Sequence, residues 1–64
     1  MSKPHAIDIC QSMTPAEYIA FVLSDFTDGY DRAPNKDATG VLRFWHSINV
    51  HPECAADMLA VSGY

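Results

Sequence analysis

The sequence predicts an all-α fold: a compact three-helix domain with a fourth, short helix at its N-terminus. Three observations carry that expectation. Two helix-start signatures built around proline, Met13-Thr14-Pro15-Ala16-Glu17 and Asn49-Val50-His51-Pro52-Glu53, each open a segment whose apolar residues recur at helical spacing. A third segment of that period, Val41 to Ile48, lies between them. Only Ile7-Asp8-Ile9 alternates like a strand, and it has no second strand to pair with.

The first dozen residues read two ways. Against the alternation of Ile7-Asp8-Ile9, Pro4, Ile7, Cys10 and Met13 recur at helical spacing after a capping Ser2, and a short helix is preferred. The next helix has the strongest start in the chain. Thr14 can accept a backbone N–H of the first turn, Pro15 stands where no N–H is needed, and Glu17 is placed to close a capping box. The spacing predicts a helix from Pro15 to about Phe26, with Ile19, Val22, Leu23 and Phe26 as its buried stripe and Tyr18 and Phe21 widening it.

Thr27 to Asp37 lacks helical period and contains Gly29, Pro34 and Asn35, so it reads as a loop, long enough for a functional or mobile role. The following helix is expected from Asp37 or Thr39, either of which can cap it, to about Asn49, with Val41, Leu42, Phe44, Trp45 and Ile48 on its apolar face. Trp45 is read as core rather than interface. The last helix should run from Pro52, capped by His51 or Asn49, to about Ser62. Ala55, Met58, Leu59 and Ser62 would face inward, and Gly63 would end it.

At 64 residues the chain holds one domain, residues 1–64, and a chain this short usually needs help from a disulfide, a metal, a partner or very good helix packing. Apolar residues make up 48% and charged residues 19%, a balance that supports a core and departs from the signature of disorder. Four basic residues, Lys3, Arg32, Lys36 and Arg43, stand against eight acidic ones for a net charge of −4. With no cluster of Lys and Arg to neutralise phosphates, direct nucleic-acid binding is disfavoured, and an acidic surface suits a basic protein partner or plain solubility. No apolar run is long enough for a membrane span, and the N-terminus has no signal-peptide pattern, so a cytoplasmic location is expected. Two cysteines are too few for a secreted disulfide scaffold.

Every His and Cys of the chain falls in two groups, His5 with Cys10 and His46 with His51 and Cys54, and this set is the alternative reading of the chain as a zinc-stapled module. The spacing matches no standard knuckle, so the expectation is no metal and no cofactor, with both cysteines as small core residues and the histidines partly exposed. Cys54 beside His51 offers a nucleophile and a base, but a helical domain of this size has little volume for a substrate pocket, and no enzyme is expected. Asp25, Asp28 and Asp31 fail the EF-hand pattern, because counting back from Gly29 puts Ser24 and Phe26 at ligand positions. A helix-turn-helix shape for the last two helices would carry Glu53 and Asp57 and no base, which does not suit DNA.

Surface recognition is what these exclusions leave. The chain is expected to be a small acidic protein that binds, and inhibits, another protein with a basic surface, of the kind that handles nucleic acid. The expected contacts are Asp25, Asp28, Tyr30, Asp31 and Asp37, with the tyrosine as an aromatic anchor among carboxylates. A homodimer is a further expectation, because Phe21, Phe26, Phe44 and Trp45 are many large apolar groups for so short a chain to cover.

Overall fold

The computed structural model describes the backbone of residues 6–64 and the side chains of residues 9–64, and among these it contains four helices and no strand. They are α1 (Ala6–Gln11), α2 (Pro15–Tyr30), α3 (Ala38–Ser47) and α4 (Pro52–Val61). None is long and apolar enough to cross a membrane. The Ser2 cap and His5 lie outside the described residues.

The capping box forms at the start of α2. Thr14 is extended, at φ −70° and ψ 159°; its Oγ1 accepts the Glu17 N–H at 3.1 Å, and Glu17 Oε1 accepts the Thr14 N–H at 2.9 Å. The helix then runs past Phe26 to Tyr30, so the first four residues of the expected loop, Thr27 to Tyr30, form another turn of α2. Tertiary contacts make the difference: the Tyr30 ring lies against that of Phe26 with centroids 4.8 Å apart, and its hydroxyl donates to Asp57 Oδ1 on α4 at 2.8 Å. Gly29, read as a turn former, sits inside the helix. The chain turns at Asp31, which adopts the left-handed conformation at φ 56° and donates its N–H to the Thr27 carbonyl.

At α3, Asp37 does not cap. Its backbone is already helical, at φ −75° and ψ −13°, whereas a capping side chain needs an extended one. Asn35 supplies the acceptors instead, its Oδ1 taking the Asp37 N–H at 2.8 Å and its carbonyl the Ala38 N–H at 3.0 Å. The helix stops at Ser47, two residues before the expected end, in a Schellman arrangement: Asn49 is left-handed at φ 62° and donates to His46 O, and Val50 donates to Trp45 O. His51 then caps α4, its Nδ1 accepting the Glu53 N–H at 3.1 Å. A second Schellman arrangement closes α4, with Gly63 at φ 90° donating to Ala60 O and Tyr64 to Leu59 O.

Tyr18, near the start of α2, meets His46 near the end of α3, with ring centroids 5.3 Å apart, so these two helices run in opposite senses. Tyr30 at the far end of α2 meets Asp57, while Tyr18 bonds the residue 50 carbonyl just before α4, so α4 runs in the same sense as α2. The core between them is Cys10, Tyr18, Ile19, Val22, Phe26, Ala38, Leu42, Ala55, Ala56 and Leu59. Several expectations about this core fail. Phe21 of α2 and Met58 and Ser62 of α4 are exposed, and so is Cys54. On α3 the large stripe is only partly covered, with Val41 and Trp45 against the core. Phe44 is 59% and Ile48 53% exposed, Val41 and Trp45 are half-buried, and only Ala38 and Leu42 are fully inside. The rings of Tyr18 and Phe26 fill much of the interior, and α3 adds Ala38 and Leu42 to it.

One carbonyl ties the helices at the other end. The Val50 oxygen accepts the Tyr18 hydroxyl at 2.8 Å and the Cys10 thiol at 3.2 Å, while the Val50 N–H is spent on α3. Beside it, His46 Nε2 lies 2.9 Å from the Cys10 oxygen and 2.8 Å from the Met13 oxygen. Two carbonyl neighbours require that nitrogen to carry its proton and donate.

Candidate functional site

The five residues expected to contact a partner do not form one loop. Asp25 and Asp28 stand exposed on α2, three residues apart and so one turn from each other, and Asp31 follows at the same interval on the turn that ends the helix. Phe21, 43% exposed, precedes Asp25 by four residues and belongs to the same flank of α2. Tyr30 points elsewhere, toward α4, where Asp57 holds its hydroxyl. Asp37 is exposed beyond the connection, at the start of α3. The structure therefore groups Asp25, Asp28 and Asp31 and sets Tyr30 and Asp37 apart from them.

Electrostatically, that grouping works against the helix. The C-terminal end of a helix carries about half a negative charge, and α2 has no basic residue in its last turn to offset it. Arg32 follows directly, but its guanidinium lies over the Phe26 ring, 4.9 Å from the centroid, and donates to the carbonyl oxygens of Ala33 and Tyr64. Asp28, Asp31 and the helix end add negative potential at one exposed tip of the molecule, which the Arg32 charge beside them offsets in part. Tyr30, though 42% exposed, has its phenol raised above the usual range by its bond to the Asp57 carboxylate, then by desolvation.

The candidate zinc ligands are dispersed in role. Cys10 is buried and its thiol donates to Val50; desolvation pushes that thiol up, away from the thiolate a metal needs. His46 Nε2 is committed to two carbonyls, and His51 Nδ1 to the cap of α4, which also removes that nitrogen as a base for Cys54. Among the described residues no three His, Cys, Asp or Glu side chains converge as a metal site. An open apolar depression of about 350 Å3 lies on the outer side of α4, lined by Asp57, Met58, Val61 and Ser62, larger than a chain of this length led us to expect. Neither Cys54 nor His51 lines it.

Three residues with structural consequence escaped the sequence reading. Asp57 receives Tyr30 from 27 positions away, Val50 acts through its backbone, and Arg32 acts by stacking. None leaves a local signal, since each depends on which helices become neighbours.

Compared with known protein families, with curated proteins and with solved structures, the chain matches none of them.

Proposed function

We propose that the protein is a small, non-enzymatic binder that inhibits a partner by presenting the carboxylates of Asp25, Asp28 and Asp31 to a basic surface, of the kind built to hold nucleic acid. The supporting observation is the run of three exposed carboxylates along one flank of α2 toward its C-terminus, two of them, Asp28 and Asp31, at the helix's negative end, where they are locally unfavourable. Phe21, exposed beside them on α2, adds an apolar contact to the charged patch. Asp37 contributes charge at the start of α3. Tyr30 contributes its exposed edge at the α2–α4 seam. In this reading the protein works in the cytoplasm, without a metal or other cofactor.

Affinity capture from an extract of the source cells, run in parallel with wild type and with Asp25→Asn, Asp28→Asn and Asp31→Asn combined, tests this reading. A basic protein retained by the wild type and lost with the triple variant is the expected result. With that partner in hand, Asp28→Asn and Asp31→Asn should slow association, and salt should weaken binding as the Debye length falls from about 10 Å at 0.1 M to about 3 Å at 1 M. Identical captured sets from the two proteins would overturn the assignment.

A further inference from the structure

We infer that the outward face of α3 is the seat of a second copy of this chain, two α3 helices pairing about a twofold axis in a weak, reversible dimer. Val41, Phe44, Trp45 and Ile48 stand at i, i+3, i+4 and i+7, the spacing of a helix-pairing seam; Val41 and Trp45 lie half-buried at its inner edge, against the core, while Phe44 and Ile48 are more than half exposed. On the inner side the same helix buries only Ala38 and Leu42. α3 therefore leaves two large apolar side chains, Phe44 and Ile48, uncovered beside two that the core covers only in part.

Charge selects the occupant. The chain has eight carboxylates and a net charge of −4, so two copies repel at most approaches. Between Asp37 and Glu53, however, there is no carboxylate at all, and the only charged residue in that stretch is Arg43. α3 is thus where two copies meet with least repulsion. A basic protein, by contrast, gains nothing from this face and is drawn to the carboxylates of α2. A stripe of this spacing is also its own complement, which is what a twofold pairing requires. Its extent sets the strength. A ten-residue helix spans about 15 Å, so the pairing falls at the small end of specific interfaces, where association is transient.

Sedimentation of the full chain from about 5 to about 500 μM tests the pairing. The mass should rise from that of one chain, 7.1 kDa, toward twice that value. Salt should strengthen it, by screening the repulsion between two anionic copies, the opposite of its effect on a basic partner. Phe44→Glu and Ile48→Glu, at surface positions that leave the core intact, should each raise the midpoint concentration about tenfold or more with circular dichroism unchanged. Val61→Glu, at an 89% exposed site on α4, should leave it unchanged. A single-chain mass across the whole range would overturn the proposal whatever the variants do. So would a dimer that survives both α3 substitutions, or one that Val61→Glu dissolves.

Discussion

The Tyr18 hydroxyl and the Val50 carbonyl oxygen meet at 2.8 Å, joining the first turn of α2 to the link between α3 and α4. The ring that carries this hydroxyl is fully buried. Tyr18→Phe should keep the packing but leave the carbonyl with only the weak thiol donor of Cys10, at a cost of about 1–2 kcal/mol in urea unfolding. The same residue controls the alkaline limit. Burial, with smaller contributions from Cys10 and Cys54, pushes the phenol up to about 12 from its ordinary 10. The folded state therefore favours the protonated phenol, and the stability this confers is complete below pH 10 and is lost as pH rises from 10 toward 12. Tyrosinate absorbance and helical dichroism followed together should change in that window, and Tyr18→Phe should flatten the dependence.

At the other end of the pH scale the capping box is the sensitive element. The Thr14 backbone N–H and, secondarily, its side chain hold the Glu17 carboxyl below its usual range, so this contribution is present above pH 4.5 and fades as acid protonates Glu17. Thr14→Ala should cost about 0.5–2 kcal/mol near neutrality. It should also remove part of the acid dependence, which thermal melts between neutral and acid pH would reveal.

Asp31 is placed twice against its preferences, in the left-handed conformation at φ 56° and at the negative end of a helix. Asp31→Gly should stabilise the fold by about 0.5–1 kcal/mol. If the carboxylates of α2 bind a basic partner, the same substitution weakens that binding. A rise in melting temperature coupled to slower association would separate the two roles of one residue.

For Tyr30 the substitutions divide strut from anchor. Tyr30→Phe removes the bond to Asp57 and retains the stacking on Phe26, so only a small loss of stability is expected for this exposed contact. Tyr30→Ala removes both and should also shorten α2, read as lost helical dichroism. A partner anchored by this ring would leave faster from Tyr30→Ala than from Tyr30→Phe.

The two cysteines should react on different schedules. Cys54 is exposed, whereas Cys10 is 1% exposed and hydrogen-bonded through its thiol. A thiol-exchange reagent should label one cysteine at once and the second only as the fold opens, at a rate that denaturant accelerates. Mass spectrometry of the labelled chain identifies the order.

The starts of α2 and α4 were legible because their chemistry is local, whereas the Asn35 turn that opens α3 was not. Thr14, Pro15 and Glu17 cap α2 within four residues, and His51 with Pro52 does the same for α4. Ends were less so. α2 outruns its apolar period because Tyr30 finds Phe26 below it and Asp57 across from it, and the second of those neighbours is set by the placement of α4. Spacing revealed the α3 stripe but could not tell which side of it faces the core, since that is set by the neighbouring helices: Ala38 and Leu42 are fully inside, with the rings of Tyr18 and Phe26 from α2 in the same core. Among the site residues, the grouping of Asp25, Asp28 and Asp31 follows from their intervals once the helix is known to continue. The separation of Tyr30 from them does not.

The junction at residue 50 has a consequence for how this molecule can vary. Its acceptor is a peptide oxygen, present whatever amino acid stands there, and its N–H is also in use, so proline is the one replacement that the bonding forbids outright. Other replacements at position 50 keep these bonds and lose only what the half-buried valine side chain packs against the core, while Tyr18, thirty-two positions away, cannot change without losing its bond. A saturation scan would therefore report the packing of the valine at position 50 and miss the fastening of segments from three helices that its backbone performs.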